Sequence, residues 1–112
     1  MNRIGKVYYK DLFAGIIKED EEGFSFIYDE KYLAMENSRP ISLALPLKKE
    51  QYKSALLFPF FDGLIPEGWI LEIAKKNWKI NTRDRMELLL MFCKETIGAV
   101  SVIKEEDLVN EK

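Results

Sequence analysis

The 112-residue sequence contains no histidine and a single cysteine, Cys93, and these shortages exclude several kinds of catalytic and metal site. Without histidine, neither the Ser-His-Asp nor the Cys-His arrangement for nucleophilic catalysis can form. The usual zinc sites draw on cysteine and histidine, and one cysteine can neither supply them nor form an internal disulfide. Cys93 ends the apolar run Leu88–Cys93, so we expect a buried, unreactive thiol. We predict no metal site and no cofactor.

Phosphate-binding and kinase motifs are missing as well. The sequence has no Gly-x-Gly-x-x-Gly loop and no P-loop, and it lacks the glycine-rich loop and paired aspartates of protein kinases. Asp62 and Glu67 flank one apolar turn and form the one carboxylate pair worth considering for acid–base catalysis. Such a pair would also need a pocket that adjusts its proton affinity. We therefore predict a protein without catalytic residues and keep this pair as the catalytic alternative.

Basic charge is not in excess, and long apolar runs are absent. The 17 basic and 19 acidic residues give a net charge of -2, whereas proteins that bind nucleic acid directly usually carry a basic excess. The alternative is a small nucleic-acid-binding domain that uses a basic face. Ordinary solvated surface is the favoured interpretation of the lysines that would form this face: Lys48, Lys49, Lys53, Lys75, Lys76 and Lys79. No apolar run approaches the roughly 20 residues that span a bilayer, and no signal-peptide pattern opens the sequence. We expect one cytoplasmic domain over residues 1–112 with no membrane contact and a polar tail at about 105–112.

The first third of the sequence predicts antiparallel strands. Arg3 to Tyr9 and Leu12 to Lys18 are rich in β-branched and aromatic residues, which favour strands. Phe24 to Tyr28 alternates, which places Phe24, Phe26 and Tyr28 on one face. The acidic run Glu19–Glu22, followed by Gly23, predicts a solvated hairpin turn between the second and third strands.

The middle of the chain predicts short elements. Asp29 to Met35 can form one helical turn. Ile41 to Leu45 alternates and predicts a strand with Ile41, Leu43 and Leu45 on one side, ended by Pro46. Lys48 to Ser54 is polar and predicts a loop.

Two helices are predicted toward the C-terminus. Pro66 can begin the first, because its missing N–H costs nothing in the first turn of a helix. Asn81 or Thr82 can cap the second, which would end before Gly98 and would bury residues at helical spacing: Met86, Leu89, Leu90 and Cys93. Ala99 to Ile103 predicts a last strand that returns to the sheet. The predicted class is α+β: a small antiparallel sheet (a partial barrel) with two main helices toward the C-terminus.

The segment Leu56–Trp69 is unusually apolar and aromatic, and it contains two prolines and two glycines. Aromatic side chains on irregular backbone cannot all face inward easily, and exposed apolar clusters often mark interfaces. We predict a partner-binding site here, made of Phe60, Phe61, Asp62, Leu64, Ile65, Pro66, Glu67 and Trp69. The alternative is that the phenylalanines fill the core. Trp69 is the preferred anchor, because tryptophan is common among binding hot spots and Gly68 lets a partner approach the backbone.

Five short segments together resemble the N-terminal subdomain of HipA-type serine/threonine kinases. They follow the same order along the chain, from Val7 to Ile103: Ala14–Gly15, Phe24–Tyr28, Arg39–Leu47, Phe60–Gly68 and Ile97–Val100. The family pattern also places a tryptophan directly after Pro-Glu-Gly, where Trp69 stands. As a free-standing copy of this subdomain, the chain is similar to the HipS antitoxins of HipBST toxin–antitoxin systems.

The resemblance implies an antitoxin that binds and neutralises a HipT-like kinase toxin near its active-site cleft. It implies a second partner, a HipB-like helix-turn-helix protein that would bind DNA in a larger complex. HipT-type kinases resemble enzymes that phosphorylate tryptophanyl-tRNA synthetase. The alternative within the same family is the N-terminal regulatory part of a HipA-like kinase.

Overall fold

The computed structural model of the chain describes residues 2–68, 72, 76, 81, 83–94, 96 and 98–105. Its sheet has five strands: β1 (Arg3–Tyr9), β2 (Leu12–Asp20), β3 (Gly23–Tyr28), β4 (Tyr52–Ser54) and β5 (Val100–Lys104). Three helices have defined bounds among these residues: α1 (Glu30–Ala34), α2 (Pro59–Asp62) and α3 (Arg85–Phe92). The strand order is β4-β3-β2-β1-β5, with every pairing antiparallel. The α+β prediction is confirmed, and the sheet is open rather than closed into a barrel.

One face of the sheet carries the core. Alternate residues of the central strands point to this face, so Val7, Ile17 and Phe26 are fully buried. Helix α3 packs on this face beside β1, since a Cβ added to Gly5 would lie 2.9 Å from Cδ2 of Leu90. The residues predicted at helical spacing are all buried, three of them in α3 and Cys93 at its C-cap: Met86, Leu89, Leu90 and Cys93.

Two glycines make the central hairpin possible. Gly23 begins β3 with φ of +131°, a conformation that other residues rarely adopt. Gly15 lies where β2 and β3 pack tightly, because a Cβ there would meet the carbonyl oxygen of Ile27 at 2.3 Å. The predicted hairpin, with Glu21 and Glu22 at its solvent-exposed turn, is therefore confirmed.

The predicted strand at Ile41–Leu45 does not form. The segment is a turn in which the Leu45 N–H donates to the Ser42 carbonyl at 3.0 Å. Tyr28 replaces a strand partner, because its hydroxyl accepts from the Ile41 N–H at 3.1 Å and donates to the Leu45 carbonyl. Ile41 and Leu45 consequently face the core, whereas Leu43 between them is 96% exposed.

Other boundaries also differ from the prediction. Tyr52–Ser54, predicted as loop, is the edge strand β4. The helix α3 is capped by Asp84, whose carboxylate accepts from the Glu87 N–H at 3.2 Å, and it ends at Phe92, well before Gly98. The first main helix predicted after Pro66 lies largely outside the described residues. Its described residues have helical backbone: Glu67, Gly68, Glu72 and Lys76.

Candidate functional site

The predicted partner-binding segment forms a bend, here called the apolar bend and defined as residues 56–68. Although the prolines and glycines predicted irregular backbone, Pro59 begins the one-turn helix α2. The turn continues past it, since the Leu64 N–H donates to the Phe61 carbonyl at 3.0 Å and the Ile65 N–H to that of Asp62 at 3.2 Å. The bend is thus a fixed structure rather than a loose loop.

The bend divides its apolar residues between core and surface. Phe61 is 0% exposed and its ring centroid lies 5.5 Å from that of Phe26 in β3, and Ile65 is also buried. Of the two interpretations of the phenylalanines, core packing holds for Phe61, because the α2 turn directs this ring onto the sheet. Phe60 and Leu64 are partly buried against the core. They keep some surface that a partner could contact.

The polar and terminal residues of the predicted site lie farther out. Pro66 is half-buried, Asp62 is partly exposed and Glu67 is exposed. Trp69, the predicted anchor, lies outside the described residues. Binding of a partner by any of these residues stays a prediction.

The most exposed apolar side chain of the bend is Leu56, which is 77% exposed. It borders an open groove of about 750 Å³ between the bend, the end of the β2–β3 hairpin and the start of α3. Phe24, Leu57 and Pro59 add apolar surface to this groove, whereas Arg3, Asp62 and Arg85 provide charge. Apolar surface bordered by charged groups is typical of protein-binding surfaces.

Arg85 joins the two carboxylates that were considered as a catalytic pair. Its Nε donates to Asp62 Oδ1 at 2.6 Å, and its Nη2 donates to Glu67 Oε1. These two carboxylates raise the pKa of the Arg85 guanidinium. Both carboxylates therefore contact the same guanidinium, which is the geometry of a structural ion pair. The arrangement favours a structural function: it ties the first residues of α3 to both ends of the Asp62–Glu67 turn.

A second ion cluster fixes α3 against the sheet. Arg3 Nε donates to Glu19 Oε1 at 2.6 Å across β1 and β2, and Arg3 Nη1 donates to Asp84 Oδ2 at 2.8 Å. Arg3 also lies 3.5 Å from Glu87 Oε2. The hydrogen bond from Arg3 lowers the pKa of the Asp84 carboxyl, because it stabilises the charged form. One wall of the groove is therefore held by charge pairs.

Sequence reasoning missed Arg85, Arg3 and the exposed position of Leu56. Arg85 contacts a carboxylate 23 residues earlier, and Arg3 contacts one 81 residues later. Pairs this distant in the chain leave no periodic signal in one sequence. Leu56 could have been suspected, because it opens the apolar run, but only the α2 turn shows which of its residues face solvent.

The remaining predicted features have mixed outcomes. Cys93 is buried as predicted, and burial raises the pKa of its thiol to about 11. Lys48, Lys49 and Lys53 are exposed, and the Lys48 ammonium lies 4.1 Å from the Tyr52 ring. Among the lysines of the possible basic face, Lys75 and Lys79 lie outside the described residues. In the part of the chain that is described, no helix is both long and apolar enough to cross a membrane.

Comparison with known proteins identifies the fold and the family. The sequence matches the family described as the HipA N-terminal domain over residues 5–103. It is 34% identical over 104 residues to an uncharacterized protein of Haemophilus influenzae, covering 93% of this chain and 94% of that protein. A solved structure described as the N-terminal domain of HipA toxin matches with a TM-score of 0.71 and 33% identity, covering 92% of each chain.

A longer relative matches this chain over only part of its own length. The "Putative kinase Y4mE" of Sinorhizobium fredii is 27% identical over 105 residues, which is 93% of this chain but only 25% of that protein. The chain therefore spans about a quarter of this relative's length. The family match concerns the N-terminal domain and does not include a kinase catalytic domain. The chain belongs to the HipA N-terminal domain family.

Proposed function

We propose that this chain is a non-catalytic antitoxin that binds and neutralises a HipT-like serine/threonine kinase toxin. In this proposal it docks near the active-site cleft of the kinase, at the position that the N-terminal domain occupies in HipA-like kinases. A HipB-like DNA-binding protein completes the tripartite HipBST system. The observation that carries the proposal is the family match over residues 5–103, which is confined to the N-terminal domain.

One relative supports a function as a separate polypeptide. The Haemophilus influenzae protein is nearly the same length as the region it shares with this chain, since 94% of it is covered. In that relative the domain is therefore not followed by a kinase domain. A domain without catalytic residues that resembles part of a kinase is suited to act on a kinase that lacks this part.

The apolar bend is the surface that we propose for docking. Leu56, the partly buried Phe60 and Leu64, and the groove beside them provide apolar contact area. The pairing of Arg85 with Asp62 and Glu67 holds the bend in one conformation, which lowers the entropy cost of binding. Trp69, which follows the bend in the sequence, would fill a pocket at or near the kinase cleft and hinder nucleotide, substrate or lobe closure.

The test is co-expression of the chain with the kinase encoded beside it, measured as growth rescue and co-purification. We expect wild-type protein to restore growth, and Leu56→Asp and Trp69→Ala to weaken kinase binding at least tenfold with little change in melting temperature. Leu43→Asp is the matched control, because Leu43 is 96% exposed and lies beyond the opposite end of β3. If the wild-type chain neither rescues growth nor co-purifies, the antitoxin function is wrong.

A second candidate function is that of the N-terminal regulatory part of a HipA-like kinase. The match to one quarter of the Sinorhizobium fredii protein favours it, because there the same region is part of a much longer protein. The natural reading frame and the mass of the protein in its own cell distinguish the two functions. A product several times the mass of this chain would support the regulatory part and contradict a separate antitoxin.

A further inference from the structure

We infer that the chain carries a second partner-binding surface, a pocket that takes an acidic peptide segment bearing one large apolar side chain. The pocket, here called the α1 pocket, has a volume of about 420 Å³. Its lining comes from Tyr9, Lys10 and Leu12 at the β1–β2 turn, from Tyr32 of α1, and from residues 35–39. None of these residues belongs to the apolar bend or its groove.

The α1 pocket lies at the other end of the sheet from the groove. Tyr9 pairs with Leu12 at one end of the β1–β2 hairpin, whereas Arg3 of the groove pairs with Glu19 at the other end. Six residues of strand at about 3.3 Å each separate the two positions by about 20 Å. One partner bound at the groove would therefore leave the pocket free for a second contact.

Two large apolar side chains at the α1 pocket are exposed to solvent. Leu12 is 45% exposed and Met35 is 41% exposed. The floor is rigid, because Tyr32 is fully buried, and its hydroxyl donates to the Arg39 carbonyl at 2.5 Å and accepts from the Arg39 N–H at 3.3 Å. A preformed pocket with apolar sides suits an inserted side chain of a partner.

The charge at the rim indicates the chemistry of that partner. Lys10 and Arg39 both line the pocket, and within the described residues neither forms an ion pair with a carboxylate. The Lys10 ammonium instead lies 5.8 Å from the Tyr9 ring. Among the described residues of the lining, Glu36 is the one acidic residue, so the cations outnumber it in a chain of net charge -2. Unpaired cations beside apolar surface fit a segment with carboxylates on either side of an apolar residue.

The backbone at the rim supports the same function. Lys10 and Asp11 form the β1–β2 turn with φ of 47° and 69°, in the left-handed region. Tight hairpins prefer glycine, asparagine and aspartate there, so Asp11 suits the turn, whereas lysine costs roughly 1–2 kcal/mol. The Lys10 N–H donates to the Ala99 carbonyl at 2.8 Å, which holds the turn in place. The turn therefore holds Lys10 on the rim of the pocket in a defined backbone conformation.

The test uses the whole ¹⁵N-labelled chain and the probe peptide acetyl-Glu-Glu-Leu-Glu-Glu-amide, followed by NMR chemical shifts. We expect saturable shifts at Leu12, Met35 and Arg39, with much smaller ones for the peptides in which leucine is replaced by alanine or glutamate by lysine. Saturable shifts that are equal for all three peptides, or the absence of saturable shifts with the probe, would overturn the inference.

Variants separate the pocket from the rest of the surface. Leu12→Ala and Arg39→Glu should each weaken probe binding at least fivefold, whereas Ile27→Ala should not, although Ile27 is 42% exposed. Amide spectra of each variant verify the fold. Because the probe is not a kinase, this outcome is independent of the growth rescue that tests the proposed function. Equal weakening by Ile27→Ala would contradict a specific pocket.

Discussion

Phe61 is the residue that joins the apolar bend to the rest of the protein. Its ring lies among those of Phe26, Phe58 and Phe60, with centroid distances of 5.5, 6.2 and 5.3 Å. These are tilted or edge-to-face contacts of the kind that stabilise cores beyond simple area burial. Leu56, five residues earlier, contributes almost nothing to this core because most of its side chain faces solvent.

Phe61→Ala should therefore lower stability rather than act on binding alone. We expect a loss of about 3–5 kcal/mol in the free energy of unfolding, as for other fully buried phenylalanines. Leu56→Ala, the control from the same bend, should change it by less than about 0.5 kcal/mol. Urea denaturation followed by circular dichroism measures both. An unchanged midpoint for Phe61→Ala would show that the bend is not part of the core.

At the scale of elements, the start of α3 depends on one carboxylate with two partners. Asp84 accepts from the Glu87 N–H, which caps the helix, and from Arg3 of β1. The sequence also offered Asn81 as a cap, and that prediction failed because the Asn81 side chain accepts from the Arg83 N–H at 2.9 Å in a local turn. Several residues in a row can cap a helix, and the ion pair with Arg3 is not visible in the sequence.

Replacement of Asp84 separates the two functions of its carboxylate. Asp84→Asn keeps a capping oxygen and loses the charge that pairs with Arg3, whereas Asp84→Ala loses both and should cost about 1 kcal/mol more. Since Arg3 lowers the pKa of Asp84, the stability this group contributes is present above the ordinary carboxyl pKa and is lost as pH falls through the lowered value. Urea melts at pH 7 and pH 3 should therefore show a smaller acid loss for Asp84→Asn than for wild type. Equal losses would contradict the ion pair.

Strands could be predicted from long runs of strand-forming residues and could not be predicted from short ones. β1 and the β2–β3 hairpin follow from runs of at least five residues with a clear turn between them. Ile41–Leu45 alternates too, but Tyr28 takes up its backbone groups and the pattern ends as a turn. The three residues of β4, with Lys53 in the middle, give no strand signal at all. The turn of α2, which the sequence did not show, decides which side chains of the predicted site face outward.

At the scale of the whole molecule, two buried groups make the stability of the fold depend on alkaline pH: the hydroxyl of Tyr28 and the thiol of Cys93. Burial raises the pKa of Tyr28 from 10.0 to about 12 and that of Cys93 from 9.0 to about 11. Both groups are favoured in their neutral forms by the folded state. Their contribution to stability is therefore complete below the ordinary pKa values and is lost as pH rises through the raised ones.

The free energy of unfolding should fall between pH 9 and pH 11, and Cys93→Ala should show a shallower fall than wild type. The variant will be less stable at neutral pH because it leaves a small cavity, so the slope with pH is the quantity to compare. Urea melts at half-unit steps of pH measure it. Identical slopes for the two proteins would show that Cys93 does not titrate with unfolding.

The pairing of β1 with β5 has a topological consequence. Gly5 lies opposite Lys104, so the polypeptide enters and leaves the sheet side by side. A short glycine-serine connection between these neighbouring ends, with new termini opened at Glu21–Glu22, should give a circular permutant that keeps the same core. The same proximity means that the start of β1 and the end of β5 lie at one edge of the sheet.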